Sequence, residues 1–179
     1  MNRRFAVRYW VVAVALVAGT VMADLPETFT VVAVTGMAKV QVGKDGPWEQ
    51  IAVDRSYPFG SKVYVARQSG ATVRLSPGNT IEFEAATVAT LQAQGKGNSI
   101  GVTVELENGE VKVDLKADGK LQVQVQTLTG IAAAKSSAFS VSQWLAPDKI
   151  THETSVAGMR GEVQFDGGFA ATRGDSIRA

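Results

Sequence analysis

The feature that most constrains this chain is an alternation of apolar and polar residues with period two, in short runs from Phe29 to Phe165. Successive side chains of a strand point to opposite faces, so each run builds a strand with one face on a core. Gly, Pro, Asn or Asp break the runs at intervals close to those of an all-β sandwich. No segment after residue 23 carries a 3.6-residue apolar stripe. Ala85 to Gln94 comes nearest, and it is rich in Thr and Val, which favour a strand. The expected fold is all-β with very little helix.

The clearest stretch is Ile100 to Val125. Val102, Val104 and Leu106 alternate with Thr103, Glu105 and Glu107; Val111, Val113 and Leu115 continue the pattern, as do Leu121, Val123 and Val125. Asn108-Gly109 and Asp118-Gly119 are type I′ hairpin signals, since both residue types tolerate positive φ, and the expectation is a three-stranded meander. Ser76-Pro77-Gly78-Asn79 has Pro and Gly where a type II turn needs them. Gly109-Glu110-Val111-Lys112-Val113 is echoed by Gly161-Glu162-Val163-Gln164-Phe165 and, more loosely, from Gly36 to Val42. These are three equivalent strand starts, which common turn grammar explains as well as duplication does.

The N-terminus has Arg3, Arg4 and Arg8, an apolar run from Tyr9 to Ala18, and Val21-Met22-Ala23 with signal-peptidase spacing. The apolar stretch is shorter than the roughly 20 residues of a spanning helix. Residues 1–23 are therefore expected to be a signal peptide cut after Ala23, exporting the protein to the periplasm or cell surface. If retained, that segment would be the one membrane contact. Residues 24–168 would form one domain and residues 169–179 a mobile tail. Losing three arginines and no acid leaves 15 basic against 17 acidic residues out of the chain's 18 and 17. That near-neutral balance gives no footing for nucleic acid. The absence of Cys excludes disulfides and Cys-ligated metal.

Catalytic and metal chemistry find little support. The chain's single histidine, His152, lies among polar strand residues, and no Gly-x-Ser-x-Gly elbow accompanies it. One His without Cys cannot build a usual zinc site. Glu82/Glu84 and Glu105/Glu107 have the composition for glycosidase work, but at i and i+2 in strands both members face away from the core, as solubilising residues do. Asp45-Gly46 and Asp166-Gly167-Gly168 lack the oxygen density of a calcium loop. Gly95-Lys96-Gly97-Asn98 lacks the ending and following helix of a phosphate loop. Arg173-Gly174-Asp175 is an adhesion tripeptide of a length that chance supplies. No catalytic, cofactor or metal residue is assigned. Trp48 and Trp144, at strand–loop junctions, are the candidate partner-binding residues, with an aromatic lid over the core as the alternative.

Several pieces in order resemble the FecR-type domain of bacterial envelopes, from about Val31 to Asp166. They are Val34-Thr35-Gly36, Phe59-Gly60-Ser61-Lys62-Val63, the segment Ala71 to Ile81, Leu106 to Val113, and Lys135-Ser136-Ser137-Ala138-Phe139-Ser140-Val141. The chain departs from that pattern at Ser61, where Asp is usual, and at Ser136 and Ser137, where Gly and Thr are usual. The resemblance implies a two-sheet, antiparallel, jelly-roll-like β-sandwich that recognises a partner and supplies no catalytic residue. Eight residues before the apolar run leave no room for the intracellular anti-sigma module of the family's regulators, so a stand-alone exported domain is expected. Its expected role is a non-enzymatic binding or structural module contacting a protein or an envelope polymer, with no cofactor. The alternatives are an exported relay in a transmembrane signalling system, acting by strand addition, and a glycan-active enzyme.

Overall fold

A computed structural model describes residues 27–96, 99–116, 121–146, 152–165, 169–171 and 176–178. The signal segment, Asp118-Gly119, Gly97-Asn98, Asp166-Gly167-Gly168 and Arg173-Gly174-Asp175 lie outside the described residues. The described chain is all-β, without helix: β1 (Thr28–Thr35), β2 (Ala38–Gln41), β3 (Trp48–Gln50), β4 (Ser56–Pro58), β5 (Lys62–Val65), β6 (Gly70–Ser76), β7 (Asn79–Phe83), β8 (Val88–Lys96), β9 (Ser99–Asp114), β10 (Leu121–Gln126), β11 (Ile131–Lys135), β12 (Ala138–Leu145), β13 (His152–Arg160), β14 (Val163–Phe165), β15 (Phe169–Ala171) and β16 (Ser176–Arg178).

These strands form two curled sheets that share β9. The first runs β4-β1-β6-β7-β9-β12-β13-β16 and uses the C-terminal half of β9. The second runs β3-β2-β5-β8-β9-β10-β11-β14-β15 and uses the N-terminal half. The inward residues of both sheets belong to one core, which includes Phe29, Tyr57, Phe83, Leu91 and Phe139. The hydroxyl of buried Tyr57 accepts the Ala52 N–H at 3.1 Å, so its polar end is satisfied. Pro77-Gly78 joins β6 to β7, with Gly78 at φ 79 as a type II turn requires. The tail has no alternation, yet β15 and β16 each add an edge strand, since ladder hydrogen bonds engage backbone groups whatever the side chains.

The meander expected between Ile100 and Val125 is not formed. β9 continues through Asn108-Gly109 without a hairpin, and β10 pairs with it in parallel, Leu121 opposite Ile100. A type I′ turn needs positive φ at both central residues, and only Gly109 has it, at 101°. The inward positions change parity here, from Val102, Val104 and Leu106 to Val111, Val113 and Leu115. β9 therefore folds over with its side chains facing across the core, while each half hydrogen-bonds to other strands. The chain then returns from the first sheet to the second, and β10 re-enters beside the start of β9, running the same way.

The three echoed glycines each mark such a crossing between sheets. Gly36 lies between β1 and β2, Gly109 within β9, and Gly161 between β13 and β14, all with positive φ. Each packs against a hydroxyl residue on a second, neighbouring crossing: Ser69 between β5 and β6, Thr87 between β7 and β8, Ser137 between β11 and β12. The residue before each hydroxyl is left-handed as well: Gln68 at φ 57, Ala86 at 58 and Ser136 at 55. Ser69 accepts the Met37 N–H at 3.0 Å. Thr87 accepts the Glu110 N–H and donates to the Glu110 carbonyl, both at 3.1 Å. The Ser137 hydroxyl lies 2.9 Å from the Glu162 carbonyl and 3.0 Å from that of Lys135. Only a residue without a side chain allows this approach: a Cβ on Gly109 would stand 2.5 Å from Thr87 Cα.

Urea denaturation checks the corners from both directions. Gly109→Ala adds left-handed strain and a backbone clash, and is expected to cost about 3 kcal/mol or more. Ser136→Gly relieves left-handed strain at a half-buried position and is expected to gain up to about 1 kcal/mol.

Candidate functional site

The two sheets present different chemistry outward. On the first, β7, β9 and β12 carry Thr80, Glu82, Glu110, Lys112, Asp114, Ser140 and Ser142, and ion pairs cross it. Lys112 bonds the Glu84 carboxylate, and Arg160 reaches Asp114 at 2.6 Å. Bonding to Glu84, helped by the charges of Glu84, Glu82 and Glu110, outweighs desolvation and raises the Lys112 ammonium pKa above 10.5.

The second sheet turns side-chain amides outward. The register aligns Gln92 of β8, Thr103 of β9, Gln124 of β10, Ala133 of β11 and Gln164 of β14 in one row. A neighbouring row runs Trp48, Gln41, Lys62, Thr90, Glu105, Gln126 and Ile131. At about 4.8 Å per strand, the first row spans roughly 19 Å.

Three shallow hollows lie on this face. One of about 200 Å³ is lined by Gln41, Lys44, Lys62, Thr90, Gln92 and Glu105 among others. The second, of about 420 Å³, shares Glu105 and adds Glu107, Gln126 and Leu128. The third, of about 360 Å³, is lined by Gln122, Ala133, Lys135, Glu162 and Gln164. The amide row connects the first to the third.

The rim of the second hollow is held by a polar network below it. Fully buried Gln143 donates to the Glu107 carbonyl and accepts the Leu128 N–H, both at 2.7 Å. Thr154 bonds Thr129 at 2.5 Å and Thr127 at 3.1 Å, tying residues 127–130 to β13. An unpaired amide in a core would be costly, so Gln143 keeps its place through the two backbone groups it serves.

Trp48 and Trp144 are on different sheets, each 42% exposed, so neither is a lid over the core. Trp48 opens β3 and meets Tyr64 edge-on at 6.2 Å, placing two aromatic rings on the amide-bearing face. Trp144 stands on β12 opposite Glu153, next to exposed Leu145. Glu105 and Glu107 are exposed, with Glu107 2.6 Å from Lys62, and Glu82 is exposed too. His152 lies on β13 opposite Leu145, half-buried, and its Nδ1 has no hydrogen-bond partner among the described residues. The described residues hold no cluster of three potential metal ligands. Sequence reasoning missed Gln143 and the amide face. Gln143 stands at an inward strand position, and that is the one signal that could have found it. The glutamines alternate with apolar residues like any solvent-facing side chains.

The model of the family described as FecR protein matches residues 61–164, more than half of the chain. No curated protein matches it. Two crystal structures of a "putative anti-sigma factor" from Parabacteroides distasonis ATCC 8503, at 1.65 and 2.50 Å resolution, are similar in fold, each with a TM-score of 0.54 and 16% identity. The alignment covers 66% of this chain and 54% of each of those chains, so this chain spans about half their length.

Because the Lys112 pKa is raised on folding, its contribution to stability is complete below 10.5 and fades as pH climbs through the raised value. The stability difference between wild type and Lys112→Met, from urea midpoints, is expected to be constant from neutral pH to 10.5 and to shrink above it.

Proposed function

The chain belongs to the FecR family, and on that premise we propose that it is a non-enzymatic recognition module acting outside the cytoplasm, in the periplasm or at the cell surface. The observation that carries this reading is the outward face of the second sheet, which is broad, shallow and open, and offers many weak polar contacts in register. Such a face suits an extended partner better than a small substrate needing enclosure. The exposed setting of the Glu105 and Glu107 carboxylates, the latter paired with Lys62, also weighs against acid–base work. We read the two curled sheets as a jelly-roll-like sandwich, exported by removal of residues 1–23. Trp48 and Trp144 are its partner-contact residues, on separate faces, for a protein or an envelope polymer.

A second reading, an exported relay in a signalling system, is favoured by β3. Among the described residues this strand pairs only with β2, so its other edge is open to strand addition.

Photocrosslinking amino acids placed at positions 48, 144 and, as a control, 72 test the proposal in the native cell. Adducts from 48 or 144, absent at 72, are the expected result, with protein and muramidase-sensitive species separated by mass. Equal labelling at all three sites, or none at 48 and 144, contradicts it.

A further inference from the structure

We propose that the outward face of the second sheet binds an uncharged polysaccharide chain laid across its strands; this rests on the recognition reading above and names its ligand class.

Four observations converge on that ligand. First, strand-borne glutamines on this face, Gln41, Gln92, Gln122, Gln124, Gln126 and Gln164, are joined by half-buried Thr90, while Thr103 lies buried between Gln92 and Gln124 in the register. Each amide offers both donor and acceptor, the pairing that sugar hydroxyls need. Second, the three hollows hold Lys44, Lys62 and Lys135 against Glu105, Glu107 and Glu162, so their lining has no net charge. An acidic or basic polymer would meet as much repulsion as attraction there, and a neutral one loses nothing. Third, Trp48, backed by Tyr64, supplies an exposed aromatic surface at one end of a polar row, where the apolar face of a sugar ring can stack. Fourth, the composition is particular to this face. Both sheets carry ion pairs and hydroxyl side chains, but the amide of the opposite sheet's strand residue Gln143 points inward. A solubilising requirement alone would not sort amides to one sheet.

The strands impose a spacing as well. Neighbouring side chains in a row are about 4.8 Å apart, close to the length of one pyranose unit. An extended chain crossing from β8 to β14 can meet each strand in turn. The hollows are shallow because the ligand crosses the face rather than entering it.

Affinity electrophoresis of the full chain through gels containing hydroxyethylcellulose, galactomannan or alginate tests this. Retardation is expected with at least one neutral polymer and not with alginate. Trp48→Ala, and the double variant Gln92→Ala with Gln124→Ala, should weaken it about tenfold or more, while Thr72→Ala on the other sheet leaves it unchanged. Urea midpoints of the outward-facing variants, matching wild type, show that loss of retardation is not loss of fold. The proposal is overturned by retardation in alginate alone, by retardation that these variants leave intact, or by none in the neutral polymers. If position 48 crosslinks a protein while no neutral polymer retards the chain, the ligand class is wrong and the recognition reading stands.

Discussion

The contact on which the rest of this structure depends is a glycine pressed against a Ser or Thr hydroxyl, repeated three times where the chain passes from one sheet to the other. A strand that changes sheets must reverse which side chains face inward and must do so without leaving backbone groups unpaired beside the core. Positive φ at Gly36, Gly109 and Gly161 accomplishes the first. The hydroxyls of Ser69, Thr87 and Ser137, each held by neighbouring backbone groups, accomplish the second. Each corner locks two crossings together, so the two sheets are fixed relative to one another at three points.

The middle corner has the widest reach. Because β9 turns over at Gly109, it is an interior strand of both sheets, and β7, β8, β10 and β12 all take their register from it. The amide row depends on that register. Gln92 and Gln124 are aligned because both pair with Thr103, and they project outward because Val102 and Val104 project inward. A slip of one residue in β9 would turn its own Val102 and Val104 outward and Glu105 inward, and would break the alignment of Gln92 with Gln124. The buried Gln143, bridging the Glu107 carbonyl to the loop before β11, penalises such a slip.

Much of this architecture was legible in the sequence, and the rest was hidden for a physical reason. Period-two alternation identified the strands and the outward placement of Glu105 and Glu107, because burial acts on each strand locally, and Pro77-Gly78 was legible from its own turn chemistry. The echo of Gly36, Gly109 and Gly161 was read as three strand starts; Gly36 and Gly161 precede β2 and β14, whereas Gly109 lies within β9, and what the three share is a crossing between sheets. What failed was the meaning of Asn108-Gly109. A hairpin and a fold-over corner both ask for positive φ between two alternating runs, and they differ only in whether the arms bond to each other or to third parties. That choice is made by distant strands and leaves no local trace. The partner hydroxyls were invisible for the same reason, since Gly109 and Thr87 meet only in the fold. Ser136 was legible as a departure from the family pattern, and its φ of 55° explains why Gly is usual there.

The central claim is that β9 is one strand shared by two sheets, with its halves facing each other across the core. Nuclear Overhauser contacts of the Lys112 backbone amide test it most directly. The account requires contacts to the backbones of Glu82 and Ser140, which flank Lys112 in the first sheet, and of Glu105 to Gln126 in parallel register in the second. Backbone contacts between Lys112 and Glu105 across a hairpin at Asn108-Gly109 would contradict it.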